Sequence, residues 1–282
     1  MGARLKHNRR AMLGLWMVIC FAAVALLAPW IAPYDPLKHN MQIMLEPPAW
    51  SHPLGTDEFG RDILSRLMYG MRLSLIIGLV SVTIAATVGI ALGLISGYFG
   101  GWVDRIIMRV VDVLLAFPNF LLAIVVVSAL GPGIVNMTVS IGLFSMPAFA
   151  RVARGAVLGI KQQDYVQAAV AMGSGHFRII WSHVLPNSAA QYIVLATLRI
   201  ATAILTTSGL SFLGLGAPPP TPEWGAMLST GREFMRIAPH VSLMPGIAIL
   251  LTVLAFNMLG DGLRDAFDPK MKLQHHAGRR SS

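Results

Sequence analysis

"RVARGAVLGIKQQDYVQAAVAMGSGHFRIIWSHVLPN", Arg151 to Asn187, is the longest mixed polar segment of the chain and lies between two strongly apolar runs. Its interior predicts helix, turn, helix. Gln163 to Met172 reads as a short helix whose middle, Ala168, Ala169 and Ala171, is nearly all small, so another protein surface can approach it closely. Gly173 and Gly175 flank Ser174; a backbone reversing there takes positive φ without the Cβ clash of about 1–2 kcal/mol. His176 to His183 reads as a second amphipathic piece, with Phe177, Ile179, Ile180 and Trp181 suited to a membrane or protein boundary. Pro186 lacks the amide donor a helix interior needs and is expected to close that piece, with Asn187 and Ser188 placed to cap the next helix.

The surrounding chain is a membrane chain. Of its 282 residues 55% are hydrophobic and 12% charged, a balance that argues against a pair of soluble domains. The lone Cys20 sits inside an apolar run, which rules out an intrachain disulfide and suggests simple packing. The net charge of +9 resides in basic residues at the ends of apolar runs, so it reports membrane topology and not a nucleic-acid partner.

Six spans are predicted. The first, Ala11 to about Pro33, follows Arg4, Lys6, Arg9 and Arg10. At about 1.5 Å per residue it crosses a hydrocarbon core of roughly 30 Å, and it is longer than the apolar core of a cleaved signal peptide. Lys6 stands where a myristoylation site requires serine or threonine. Tyr34 to Trp50 is proline-rich and expected to run extended. In "HPLGTDEFGRDILSRLMYGMRLSL", His52 to Leu75, Ile63, Leu64, Leu67, Met68 and Met71 recur at helical spacing with Arg61, Asp62, Arg66 and Arg72 on other faces, which predicts a helix lying at the interface. Further spans read as Leu73 to about Gly97, Val103 to about Leu130, Ile134 to about Ala150 (short for a span), Ser188 to about Leu215 and Val241 to about Leu259. Gly89, Gly93 and Gly97 mark a close-packing face for a neighbouring helix. The resulting domains are a basic N-terminus (1–10), a first span (11–33), an outer segment with an interfacial helix (34–72), a core of five spans (73–265) containing the 151–187 loop, and a tail (266–282).

Orientation follows from lysine and arginine. With the N-terminus cytoplasmic, fifteen of the 22 fall on the inner side, six on the outer side, and Arg199 within the membrane. Both termini and the 151–187 loop are then expected in the cytoplasm.

Four strings carry a resemblance to a known family. "QAAVAMG" from Gln167 followed by "VLP" ending at Pro186 resembles the signature loop of permease subunits in bacterial binding-protein-dependent ABC importers; Gln167 replaces the usual glutamate and His183 an aliphatic residue. The His52–Leu75 string, "GLGAPPPTPEWGAMLSTGREF" (Gly214 to Phe234) and "LGDGLRDAFDPK" (Leu259 to Lys270) are similar to the dipeptide, oligopeptide and nickel group, C-type subunit; the likeness spans about Pro29 to Lys272. This resemblance implies an all-α inner-membrane protein of six transmembrane helices, a type I importer permease core preceded by one extra N-terminal helix. It implies a second permease of similar fold, two ATPase subunits or domains that bind ATP and Mg, and an extracytoplasmic solute-binding protein. The ATPase socket would comprise Tyr165, Gln167, Ala168, Ala169, Gly173, Ser174, Gly175, Leu185 and Pro186. Pro219, Glu223 and Trp224, in a segment where three prolines suggest stiff polyproline-like backbone, would face the binding protein. Dipeptides, longer peptides, glutathione-like molecules and nickel chelates all remain open as cargo.

The chain itself carries no evident chemistry. No glycine is followed directly by lysine, so there is no phosphate loop; there is no His-Glu-x-x-His motif, and Ser96, Ser174 and Ser208 lack a nearby helix-borne histidine at membrane depth to activate them. A non-catalytic subunit is therefore expected. Arg199, thirteen residues past Pro186, falls about 20 Å into its helix, where a charge costs roughly 2.5–3.5 kcal/mol unless paired or wet. Asp112 is a candidate partner, though it is also one turn from Arg109; lining the solute pathway, where Arg199 would attract a carboxylate, is the other reading. A secondary transporter or channel would instead require paired acidic or broken-helix sites at mid-membrane, and only Asp112 and Arg199 are on offer.

Overall fold

The computed structural model describes residues 8–267; Arg4, Lys6 and the tail from Asp268, with His275 and His276, lie outside the described residues. Helix α1 (Arg9–Ile31) begins where the Asn8 side chain accepts from the amides of Arg10 and Ala11, satisfying donors that a helix start leaves open. An irregular stretch with one 3-10 turn, Met41–Ile43, leads to α2 (Ile63–Phe99), then α3 (Gly101–Leu115), α4 (Asn119–Leu130), α5 (Ile134–Lys161), α6 (Asp164–Ala171), α7 (His176–Phe212), α8 (Trp224–Gly231) and α9 (His240–Phe267). Helices α1, α2, α5, α7 and α9 are each long and apolar enough to cross a membrane, and α3 with α4 forms a sixth, broken pair.

The contacts between ends fix the topology. Asn8 Nδ2 donates to Asp265 Oδ2 at 3.2 Å, which brings the start of α1 beside the end of α9. Tyr98 near the end of α2 meets His176 at the start of α7. The opposite end of the bundle gathers the start of α2 with Pro36 (Arg66 Nη1 to Pro36 O, 3.1 Å) and the start of α9 with Thr56 (His240 Nε2 to Thr56 O, 3.3 Å). Residues 8 and 265 and the 162–187 segment therefore share one side.

The seam between α2 and α5 organises the centre. A Cβ built on Gly93 would stand 2.6 Å from Ala153 Cβ, and one on Gly97 2.8 Å from Val157 Cβ, so the backbones approach as closely as the glycine repeat predicts. Between apolar helices in lipid, association rests on such packing and not on water exclusion. Ile77, Val82, Ala85, Met137 and Phe149 fill the seam, with Leu210 of α7 closing it.

Five expectations are corrected. The interfacial helix does not exist separately: Ile63–Phe99 is one helix of 37 residues, capped by Asp62 accepting from the Ser65 amide. Just before it, Asp57 binds both Arg61 (2.7 Å) and Arg66 (3.3 Å) in a buried cluster. The third crossing is not continuous, since α3 and α4 meet at 91° around Phe117 and Pro118, where proline disfavours helix in the preceding residue. Helix α5 runs on to Lys161 instead of stopping near Ala150, because α3 supplies carboxylates to the arginines it carries. Pro186 does not end a helix. The preceding turn, Ile180–Val184, is a π turn in which the Leu185 amide donates to Ile180 O, and the widened turn accommodates a ring that lacks a donor. The three prolines form no polyproline rod: the Thr221 amide donates to Pro218 O at 3.2 Å, closing a turn.

Candidate functional site

Helix α6 is short, yet its composition supports it: alanines favour the helix and Asp164 in the first turn complements the dipole. Val166 is buried against Leu94, Val157, Ile179 and Val184, and Ala169 is buried as well. Tyr165, Gln167, Ala168, Val170 and Ala171 are exposed. The alanines thus divide: Ala168 and Ala171 give the helix a smooth outer face, whereas Ala169 is small because it packs inward.

The turn that follows is a Schellman motif, with the Gly173 amide donating to Val170 O at 2.9 Å and the Ser174 amide to Ala169 O at 3.0 Å. Gly173 has φ +81°, in the left-handed region that disfavours any Cβ. Gly175, at φ −64°, has ordinary backbone and simply precedes α7. Beyond the turn Phe177 and Trp181 are 76% and 61% exposed and stack at 5.9 Å, while Ile179 is buried. Leu185 is partly buried and Pro186 exposed. The expected caps act otherwise: Asn187 Nδ2 donates to His183 O (2.6 Å) and to Tyr165 Oη (3.3 Å), and Ser188 Oγ to Val184 O (2.7 Å). Tyr165 and Asn187 also line a surface groove of about 590 Å³ with Arg151, Gly155 and Gly159.

Two ion pairs tie α3 to α5 beneath this loop. Arg154 grips Asp104 through Nε and Nη2, each at 2.6 Å, and Arg151 Nη2 meets Asp112 Oδ1 at 2.6 Å. The bidentate pair is the stronger by geometry; the Arg151 pair is well exposed and contributes at most about 1 kcal/mol. Asp112 is therefore not the partner of Arg199. Arg199 is half-buried on α7, and no carboxylate lies within salt-bridge distance of it among the described residues.

On the opposite side the structure separates three residues that the sequence groups together. Pro219 is exposed. Trp224 is 0% exposed, packs over Gly70 and donates from Nε1 to Leu67 O at 3.0 Å. Glu223, also 0% exposed, caps α8 by accepting from the Ala226 amide at 2.8 Å, and its Oε1 has no partner among the described residues. Glu223 and Trp224 hold α8 in place; of the three, only Pro219 has a surface to present.

Sequence reading missed Tyr98 and Lys161. Tyr98 Oη lies 2.9 Å from His176 Nδ1, and Lys161 Nζ donates to Tyr98 O at 2.7 Å. A tyrosine and a lysine near the ends of apolar runs are too common to single out, and their partners are remote in sequence.

Helices long and apolar enough to cross a membrane, with a broken pair among them and an exposed helix and glycine turn on the side that carries residues 8 and 265, are the arrangement that the resemblance to a permease subunit implies. The chain belongs to the family described as binding-protein-dependent transport system inner membrane component, whose model matches residues 89–273, and residues 1–48 match the N-terminal TM domain of oligopeptide transport permease C. It is 52% identical over 270 residues to the glutathione transport system permease protein GsiD of Shigella flexneri serotype 5b (strain 8401), covering 95% of this chain and 89% of that one. Against GsiD of Escherichia coli O157:H7 the identity is 49% over the same length. The fold matches an inward-facing conformation of the MetNI methionine ABC transporter with TM-score 0.59 at 19% identity, over 73% of this chain and 98% of that one. The chain is thus an ABC importer permease subunit of the inner membrane, all-helical, with an added N-terminal helix, and the resemblance read from its four strings holds.

Proposed function

We propose that this subunit imports small peptides, glutathione among them, as one of two permeases that together form the pathway. Two ATPase subunits or domains bind ATP and Mg and engage the exposed face of α6 and its glycine turn, and an extracytoplasmic binding protein delivers cargo to the side that bears Pro219. Both termini are cytoplasmic, in keeping with the inward bias of lysine and arginine. Arg199, a cation on a spanning helix without a carboxylate partner among the described residues, lines the pathway and receives a carboxylate of the passing peptide, whereas Asp112 serves α5.

The single observation that carries the cargo assignment is the 52% identity over 95% of the chain to a protein named for glutathione transport. The test is uptake of labelled glutathione, and separately of a dipeptide, into proteoliposomes holding the complete complex and its binding protein. Accumulation is expected only with internal ATP. Uptake without the ATPases would overturn the importer reading, and ATP-driven uptake of neither probe would overturn the cargo.

A further inference from the structure

Helix α7 contains an irregularity near its start. Between its first turn, His176–Ile179, and the span beginning at Leu185 lies the π turn Ile180–Val184. Pro186 follows it without an amide to donate, and side chains patch the carbonyls there: Asn187 reaches His183 O and Ser188 reaches Val184 O. A helix interrupted in this way bends at that point more easily than elsewhere. The glycine turn and the first turn of α7 are therefore joined to the following span through a segment that can bend, with Asn187 Nδ2 to Tyr165 Oη at 3.3 Å as the direct side-chain hydrogen bond from α6 to that span.

They are strongly tied to a different one. His176 Nδ1 and Tyr98 Oη are 2.9 Å apart, and the imidazole meets the rings of Tyr98 (5.5 Å) and Phe99 (6.1 Å) edge-on. Tyr98 is in turn fixed from α5, because Lys161 donates to its carbonyl and sits over its ring at 5.1 Å. Helices α2 and α5 are locked along the glycine seam. Tyr98 is thus the point where α2, α5 and the segment after the glycine turn meet.

We propose that Tyr98 and His176 are positioning residues for coupling: they pin the α6 loop to the α2–α5 pair, while the π turn lets the α7 span move separately. The proposal rests on the reading that the ATPases engage α6. Under it, a displacement imposed on α6 is delivered first to the helices joined by Tyr98, and the body of α7 follows by bending at Ile180–Val184.

The experiment uses the complete complex in nanodiscs, with Cys20→Ser in this chain and spin labels on exposed positions. One pair joins Val170→Cys in α6 to Ile95→Cys in α2; the other joins Val170→Cys to Leu205→Cys in α7, and because Val170 lies on the face assigned to the ATPases, distances are taken from labelled complexes whose ATP hydrolysis matches that of the unlabelled Cys20→Ser complex. Distances are measured without nucleotide and with ATP, Mg²⁺ and vanadate. With Tyr98 and His176 intact, the 170–95 distance is expected to stay constant and the 170–205 distance to change. In Tyr98→Phe, which keeps the ring over Lys161 but removes the hydroxyl, the 170–95 distance should broaden and shift. ATP hydrolysis should persist while uptake per ATP falls severalfold. His176→Gln, which retains a side chain able to meet the hydroxyl, should restore more of that ratio than His176→Ala. A Tyr98→Phe complex with native distances and native uptake per ATP overturns the pin, as does a wild-type loop that moves relative to Ile95. Failure of nucleotide to change any distance to position 170, with hydrolysis intact, would instead overturn the engagement of α6 by the ATPases.

Discussion

Gly89 lies so close to Met146 that a Cβ on it would stand 2.5 Å from the Met146 carbonyl oxygen and 2.6 Å from Phe149 Cβ. Backbone cannot swing aside as the end of a side chain can, so substitution here has to part α2 from α5. Gly89→Val is expected to cost at least the 1–3 kcal/mol typical of overpacking, seen as a lower apparent Tm and reduced monodisperse yield in detergent. Gly155 and Gly159 on the outer face of α5 are the control. A Cβ on either meets nothing within 4 Å, so Gly155→Ala and Gly159→Ala should leave Tm unchanged or raise it, as alanine favours a helix interior over glycine.

Asp104 and Arg154 join α3 to α5 through two hydrogen bonds of 2.6 Å, with both side chains partly shielded. A double-mutant cycle of Asp104→Asn and Arg154→Gln should return a coupling energy of about 1 kcal/mol, within the usual range of about 0.5–3 kcal/mol for contacting residues. Asp112→Asn with Arg151→Gln should give less, because that pair is open to solvent. Equal couplings for the two cycles would contradict the geometric ranking.

What the sequence discloses and what it hides divide along the range of the interaction. The fourfold glycine period and the positive φ at Gly173 are local, and both were legible. Trp224 reads as part of the face turned to the binding protein until its indole is seen to bond Leu67 O, 157 positions away, and a surface tryptophan and a buried one look alike along a single strand of text. Asp112 invited pairing with Arg199 because Arg151 was assigned to a loop; once α5 continues through Arg151, the nearer cation takes the carboxylate. The burial of Arg61 and Arg66 is hidden for a similar reason, as Asp57 binds them from outside the helix whose periodicity is legible.

Burial pushes the Glu223 carboxyl above the usual carboxylate range, against the amides of Gly225 and Ala226, which favour its ionised form. The folded chain therefore holds this proton more tightly than the unfolded chain does. The contribution to stability is complete below the ordinary carboxylate pKa and declines as pH rises through the raised one. Glu223→Gln keeps an oxygen for the Ala226 amide and removes the ionisation, so its Tm should fall less than wild type between pH 5 and pH 8. Glu223→Ala also loses the cap and should be destabilised by about 1 kcal/mol at both. A wild-type Tm that rises over this interval while Glu223→Gln stays flat would reverse the sign.

Gly173 is constrained by its backbone alone, because a Cβ there would meet nothing within 4 Å. Gly173→Asn, which tolerates the left-handed region, should retain most uptake, whereas Gly173→Val should pay about 1–2 kcal/mol locally and distort the turn. The distinguishing measurement is the ratio of uptake to ATP hydrolysis in the reconstituted complex. That ratio should drop for valine and hold for asparagine, with membrane insertion unaffected in both; identical ratios would remove the turn from the coupling pathway.

Arg199 separates structural from transport roles by the sign of its effect on stability. A charge half-buried at mid-span, with no carboxylate partner among the described residues, is a cost to the folded chain of up to roughly 2.5–3.5 kcal/mol, so Arg199→Ala should leave the apparent Tm unchanged or raise it. A residue retained against that cost for a passing carboxylate forms a hydrogen bond to a charged group, and losing one such bond removes about 1.5–3 kcal/mol. Glutathione uptake in Arg199→Ala should accordingly fall between about tenfold and a hundredfold at unchanged protein level, with partial recovery in Arg199→Lys, which restores the charge without the forked donor. A lowered Tm with normal uptake per folded complex would assign Arg199 to packing and take it out of the pathway.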